Sequence, residues 1–388
     1  SSTASPFLRF PRNFAVICSS YMSKEQHIRF QPENDLFLST LKARINAYFD
    51  STATSKYANT RFYAKALFMA AVYFTLYFVA LIFSPSVGSY IAYIALGPLA
   101  ILMGLNMAHD AAHGAISANS QINKLFLHTF DLLGANSYIW KNRHVFSHHS
   151  YPNILNQDAD LKQTPLVRIF PSDDIRKPQR FQHIYMPFLY MLYTLNWLVV
   201  RDFQDFKKES IGSFKHTRIT TSERLKLYGF KAFYFGYILI IPMLYSGFDW
   251  WQVLIGYLLM NAAAGFTITL ALVPAHVAST SHFPLPDADG VMPHSWSRHQ
   301  MVTTTDYATD SPTINFIMGG FNHHIVHHLF PKICHVHYEE LTPIVKQTAE
   351  EFGITYNYES SLLNAYASHF TLLKRNGWEA YKTSLELE

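Results

Sequence analysis

Uncharged stretches long enough to cross a bilayer alternate with polar stretches along this chain, and the alternation predicts its architecture. Residues 66–83 (ALFMAAVYFTLYFVALIF) hold no charged side chain over 18 positions. As a helix they reach about 27 Å, close to the depth of a hydrocarbon core. Residues 87–107 (VGSYIAYIALGPLAILMGLNM) form a second uncharged run. Only Ser84, Pro85 and Ser86 separate the two, so they read as a tight helical hairpin. Residues 232–246 and 251–275 make a second hairpin around Gly247, Phe248 and Asp249. Lys231 stands near the start of the third helix, where a lysine extends its amine to the interface.

A further apolar run, 184–200 (IYMPFLYMLYTLNWLVV), has the length either to span or to lie flat. If it spanned, the histidine-rich segments before it and those after residue 275 would face opposite sides, and one site could not be built from both. It is therefore assigned as an interfacial or half-inserted helix. Residues 141–227 hold 14 Lys and Arg, whereas the loops SPS and GFD hold none. Positive-inside reasoning then places 1–60, 108–227 and 276–388 in the cytoplasm. The predicted fold is an all-α integral membrane protein: four transmembrane helices in two hairpins, interfacial helices, and a cytosolic helical cap. Residues 1–21 read as a non-native or disordered leader ahead of Met22, and 22–65 as a cytosolic N-terminal segment. Residues 66–107 and 228–275 hold the hairpins, and 108–227 and 276–388 the two parts of the cap. The tail from about 335 has apolar positions at helical spacing and reads as soluble.

Composition narrows the chemistry. Charged residues are 15% of the chain, against about 25% in an average soluble domain. The net charge of +4 and the lack of a long basic run argue against nucleic acid. Two cysteines, Cys18 and Cys334, exclude a disulfide framework and a cysteine-built metal site. The unusual count is 20 histidines, since neutral imidazole is the commonest metal ligand among side chains.

The histidines cluster in three places. His109-Asp-Ala-Ala-His113 follows the second apolar run, and its four-residue step sets both rings on one helical face. His144-Val-Phe-Ser-His148-His149 repeats the step. Gly320-Phe-Asn-His-His-Ile-Val-His-His-Leu-Phe-Pro331 holds His323, His324, His327 and His328. Unpaired imidazoles beside a bilayer are costly unless something satisfies them, and a metal does so. The clusters offer more nitrogens than one structural zinc uses, with no thiolate, no Glu-x-x-His pair and no His-Glu-x-x-His. Two irons in an all-histidine cage fit best. On a helical wheel His324, His327 and His328 fall within about 100°, and His323 lies at the edge, as a surface ring or a partner of a ligand.

HDAAH, HVFSHH and HHIVHHLFP, in this order and at these gaps, resemble the three histidine boxes of the membrane fatty acid desaturases. Asp in second place of the first box, and GG-x-N-x-x-x-x-HHLFP around the third, are similar to the front-end branch and its bacterial acyl-CoA or acyl-lipid relatives. The resemblance covers about residues 27–360. It implies two iron ions, O2 as co-substrate, and insertion of a cis double bond into a long fatty acyl chain carried on CoA, a carrier protein or a lipid. The implied ligands are His109 and His113, then His144, His148 and His149, then His324, His327 and His328, with His276 at the end of the last membrane helix. One branch has Asn four positions before that histidine; here it is Leu272, which is not carried over. His324 stands where front-end enzymes usually have Gln, a departure that bears on regiochemistry. No His-Pro-Gly-Gly marks a fused cytochrome b5 domain, so the resemblance implies a separate ferredoxin or cytochrome b5 with its reductase. It also implies an active site on the cytoplasmic side of a bacterial inner membrane, or of the endoplasmic reticulum in a eukaryote.

Around the boxes, Asp110, His299, Gln300 and His323 are candidates to orient ligand rings. Asp158 and Asp160 either do the same or cap a helix. Trp140 and Tyr151 either line the acyl path or anchor at the interface. His128 reads as packing or interfacial, His183, His216, His282, His294 and His369 as surface residues or partners of ligands, and His335 and His337 as structural. The nearest rival function is a fatty acyl or sphingolipid hydroxylase on the same site. A membrane metal transporter would carry ionisable residues mid-helix, where this chain has almost none.

Overall fold

The computed structural model describes residues 28–31, 35–161, 164–215 and 219–386. The 1–21 segment and His216 lie outside the described residues. Among the described residues, four helices are long and apolar enough to cross a membrane. With α1 assigned to Leu36–Thr52, they are α2 (Thr60–Ile82), α3 (Val87–His113), α6 (Thr221–Tyr245) and α7 (Trp250–His276). Between the hairpins lie α4 (Ser120–Leu132), a short helix Ser137–Lys141 running into a π-helical stretch Asn142–His148, and α5 (Gln182–Asn196).

The spanning helices begin at side-chain caps. Asn59 accepts from Arg61 and Phe62 N–H ahead of α2, and Ser86 and Ser89 form a reciprocal capping box ahead of α3. Their outer faces stay apolar: Leu67, Phe68, Phe74, Phe78 and Ile82 of α2 are all exposed, a surface suited to lipid rather than water. Their inner faces meet closely through glycine. A Cβ at Gly97 of α3 would stand 2.1 Å from the Met260 carbonyl oxygen of α7. The π-helical turn Gly236–Ile240 in α6 opens its backbone ladder, and Tyr77 and Tyr93 donate to the Tyr237 and Ile238 carbonyls at 2.7 and 2.5 Å.

Lys231 departs from expectation. It is buried, and its amine donates to the Gly134 and Leu198 carbonyls and to Asp202 Oδ2 at 2.6, 2.8 and 2.6 Å. Three acceptors satisfy all three ammonium donors. The amine therefore ties α6 to the loop after α4 and to the end of α5 instead of reaching the interface.

The run 184–200 forms α5, which continues through a π-helical stretch Trp197–Arg201 into a last short helix, Asp202–Lys207. It lies against α7: Thr194 Oγ1 donates to the Asn261 carbonyl at 2.8 Å, and Gly265 leaves room for the Tyr190 backbone. Asn261 sits in the middle of α7, so α5 packs well down that spanning helix.

The cap gathers α8 (Trp296–Thr303), α9 (His324–Leu329), α10 (Tyr338–Glu351) and α11 (Leu362–Lys374). Phe37, Leu41 and Ile45 of α1 stand at i, i+4 and i+8, one helical face, and pack with Ile325, Leu341 and Val345. Two short strand pairs trim the cap, antiparallel β1 (Ser210–Ile211) with β2 (Phe214–Lys215), and parallel β3 (Asp306–Tyr307) with β4 (Tyr358–Glu359).

Candidate metal centre

The first histidine pair rides on the membrane helix itself. The π-helical turn Gly104–Ala108 precedes His109, and Gly114 in the left-handed region (φ 72°) ends α3 one residue after His113. The second cluster sits in π-helical backbone, where His149 N–H bonds the His144 carbonyl at 3.0 Å, an i→i+5 step. The step in this cluster is thus not the α-helical one expected of it. His276 ends α7. His324, His327 and His328 lie on α9, whose N-terminus is bound by Asp306: its Oδ1 accepts from Ile325 N–H at 2.7 Å.

Nine imidazoles converge in two buried groups. One comprises His109, His113, His144, His149 and His327; the other comprises His148, His276, His324 and His328. The groups adjoin, with the His149 and His328 rings stacked at 4.2 Å. Within the first, Nε2 atoms of His109 and His144, His109 and His327, and His149 and His327 lie 3.1, 3.1 and 2.9 Å apart. Within the second, His276 Nε2 lies 3.1, 2.8 and 3.0 Å from those of His148, His324 and His328.

Proton placement makes these contacts informative. His144 Nδ1 faces Asp160 at 3.0 Å, and His148 Nδ1 faces Asp158 at 2.9 Å. His276 Nδ1 donates to the Thr303 carbonyl at 3.1 Å, His324 Nδ1 to the Phe321 carbonyl at 3.2 Å, and His328 Nδ1 faces Gln300 Oε1 at 2.8 Å. Each of these acceptors fixes the ring proton on Nδ1 and leaves a bare lone pair on Nε2. Lone pairs facing one another at such distances repel unless a cation lies among them, and the buried His113 Nε2 has no hydrogen-bond partner. Nitrogens about 2.1 Å from one ion and about 3.0 Å from each other subtend about 90°, whereas tetrahedral zinc would set them about 3.4 Å apart. The donor set therefore fits metal ions of higher coordination number. Burial, then the like charges of neighbouring rings, holds the pKa of His149, His324, His327 and His328 well below the usual imidazole value. Burial lowers that of His144 to about 3 against the pull of Asp160. Neutral rings are what metal binding needs.

Asp158 binds most densely among the surrounding groups. Its Oδ2 also accepts from Asn153 N–H at 2.9 Å, and its Oδ1 from Asp160 and Leu161 N–H at 2.9 and 3.3 Å. Asp110 lies 3.5 Å from His109 Nδ1 and binds His335 more closely, at 2.9 Å through Nδ1 and 3.0 Å through the backbone N–H. His337 faces the Tyr57 carbonyl at 3.0 Å. Gln300 also donates to the His149 carbonyl at 3.3 Å.

Other expectations are corrected. His299 touches no ring of the cluster: its Nε2 donates to the Pro152 carbonyl at 2.8 Å and steadies the turn after the second histidine box. His323 is buried, not at the surface, and turns away to Thr342 Oγ1 at 2.7 Å, because α9 begins only at the next residue. Tyr151 stacks on Phe30 at 5.8 Å and donates to the Ile28 carbonyl at 3.3 Å, away from the cavity described below. His369 is buried with Tyr190 on one nitrogen and the Val277 carbonyl on the other. Three partners had no signal in the chain's pattern, the carbonyls of Thr303 and Phe321 and the Tyr338 hydroxyl 3.2 Å from His327 Nδ1.

A cavity of about 640 Å³ opens against the cluster. His144, His148, His276 and His324 form one wall, and Leu189, Tyr193, Trp197, Leu272 and Val273 supply apolar surface. Trp140 also lines it, with its ring 4.5 Å from that of His144.

Four apolar helices topped by a buried group of imidazoles define an integral membrane protein with a site fit for metal. The fatty acid desaturase family model matches residues 85–360, and the chain belongs to that family of oxidoreductases. It is 31% identical to an sn-1 linoleoyl-lipid 6-desaturase of Synechocystis sp. over 92% of this chain and 99% of that protein. It is 33% identical to an sn-1 linoleoyl-lipid 6-desaturase of Arthrospira platensis, over 87% and 92%. An acyl-lipid (8-3)-desaturase of Physcomitrium patens is 31% identical over 90% of this chain and 73% of that protein.

Proposed function

We propose that this desaturase introduces a cis double bond near the carboxyl end of a long acyl chain carried on a membrane lipid, with O2 as co-substrate. The observation that carries this reading is the shared wall: four imidazoles of the cluster face a cavity whose remaining surface is largely apolar. The named relatives, 6-desaturases and an (8-3)-desaturase, support the position and the lipid carrier. His109, His113, His144, His149 and His327 would hold one iron, and His148, His276, His324 and His328 the other. Two iron ions, when bound, supply the O2 reduction and hydrogen removal that no side chain performs. The protein's own residues do the rest. Asp158, Asp160 and Gln300 orient rings. Burial of the cluster excludes water, and the apolar wall fixes which carbons lie beside His148 and His276. His324, in the place of the usual Gln, acts as a ligand, as its 2.8 Å approach to His276 supports. Electrons come from a separate ferredoxin or cytochrome b5 with its reductase, and the cluster faces the cytoplasm, in a bacterial inner membrane or the endoplasmic reticulum.

The test is expression with a donor and reductase in cells fed defined fatty acids, followed by mass spectrometry of the lipids. New double bonds on the carboxyl side are expected. Hydroxylated chains, or unchanged lipids with zinc in place of iron in the purified protein, would overturn the reading.

A further inference from the structure

A single helical element carries the second histidine box, and its two faces differ. The inner face buries Arg143, His144, Ser147, His148 and His149, whereas the outer face leaves Lys141 and Val145 half-buried and Phe146 44% exposed. A helix with its side chains is about 10–12 Å across, so a group resting on Phe146 stands about one helix width from the imidazoles. Lys141 on the same element is close enough for its charge to act on the His113 ring.

The hairpin of β1 and β2 is fastened along this element. Ser213 N–H donates to the Gln157 carbonyl at 3.1 Å, and a Cβ at Gly212 would collide with Ser147 Oγ. The close seat brings Phe214 onto Phe146, with the two rings stacked at 5.4 Å. β1 and Gly212 line the cavity, whereas Lys141, Phe146, Phe214 and Lys215 do not, so the aromatic pair lies outside the acyl site.

Charge is distributed unevenly over the cap. Residues 203–215 expose Lys207, Lys208 and Lys215 against Glu209 alone, since Asp205 is buried. By contrast, α10 exposes Glu339, Glu340, Glu350 and Glu351 against Lys346. A negatively charged partner is drawn to the first face and repelled by the second. An exposed aromatic centre with a cationic rim has the anatomy of a protein interface.

The balance of the reaction gives the partner its chemistry. Reduction of O2 to two waters takes four electrons. Two leave the acyl chain with its two hydrogens, and two come from outside together with two protons from solvent. Resting on the desaturase reading, we propose that the outer face of the second histidine box, with β2, is the docking site of an acidic one-electron carrier protein. Phe146 and Phe214 form its apolar centre, and Lys141 and Lys215 stand on its charged rim. Each docking delivers one electron across the helix that carries His144, His148 and His149 to the irons these rings would hold, and the carrier leaves oxidised.

The test uses the full chain in phosphatidylcholine nanodiscs, with an oxidised [2Fe–2S] ferredoxin of net negative charge as the probe. Binding, measured by surface plasmon resonance without turnover, is expected to weaken as salt rises. Lys141→Glu and Lys215→Glu should each weaken it by about tenfold, and Lys346→Glu on α10 should not. The ratio of ferredoxin-driven to dithionite-driven product formation should fall in step with binding. Phe214→Trp keeps an aromatic ring on the stack and reports what touches the face. Its added emission is expected to be quenched by ferredoxin and not by brominated lipid, and it remains informative if a charge variant fails to fold. Quenching by brominated lipid would assign the face to the bilayer and overturn the proposal. Unchanged binding in both lysine variants, or an equal loss in Lys346→Glu, overturns it as well. If ferredoxin binds at this face and no carrier yields product, the desaturase reading fails and the docking site stands. Product formed with ferredoxin at an unchanged rate in both lysine variants sinks the docking site and leaves the desaturase reading intact.

Discussion

The five-imidazole and four-imidazole groups differ in what they face and in how they are braced. Three rings of the smaller group, His148, His276 and His324, line the cavity, against His144 alone from the larger. Every ring of the smaller group has a hydrogen-bond partner on Nδ1: Asp158, the Thr303 carbonyl, the Phe321 carbonyl and Gln300. In the larger group His144 and His327 are so held, while Nδ1 of His109 and of His149 has no hydrogen-bond partner. Where rings are fewer and line the cavity, each ring is fixed individually. Where five rings crowd together, their number and packing hold the arrangement.

That contrast can be broken directly. His276→Ala removes one of four rings at the cavity wall and should lower activity more than about a hundredfold, beyond what loss of an outer partner causes. His113→Ala, one of five, should retain more bound iron and more activity. Iron content by elemental analysis beside turnover checks both, and equal losses in the two variants would erase the distinction. Next in size, Asp158→Asn weakens the brace of His148 and the turn around it, with about 10–100-fold loss of metal affinity. Metal retention during dialysis against a chelator measures it, and wild-type retention would contradict the bracing role. Smaller still, Leu189→Trp narrows the apolar reach and should favour shorter acyl chains by about tenfold, within the range for pocket contacts. The product profile from mixed chain lengths reads this out. Smallest of all, Tyr151→Phe should leave activity unchanged and stability within about 0.5 kcal/mol, because the ring lies away from the cavity. A change in chain-length preference there would return Tyr151 to the acyl path.

Particular residues show why some features were legible in the chain. The apolar runs are local patterns, and uncharged runs of bilayer length leave few alternatives to spanning helices. The histidine spacings are likewise local. Lys231 was misread because position near a helix start suggests snorkelling, whereas its acceptors Gly134 and Leu198 come from elements remote in sequence. His323 and His324 are neighbours with different surroundings, since α9 starts between them. Tyr151 and Trp140 look alike as aromatic residues flanking a histidine box, and only packing sends one to Phe30 and the other to His144.

The sequence by itself determined the all-α membrane class, the three histidine clusters and, through the resemblance they carry, the family, because run length, residue type and spacing are properties of short segments. Tertiary structure alone decided how the histidines divide. His148 and His149 are adjacent in the chain yet belong to different groups, and His327 and His328 divide the same way. Backbone in π-helical form and partners more than a hundred residues away, such as His276 for His148, aim each ring. The buried pair of Arg143 with Asp205 at the cavity was equally invisible, since the two meet only when the second histidine box packs against the end of α5. Long-range packing sets those distances, and no local pattern encodes them.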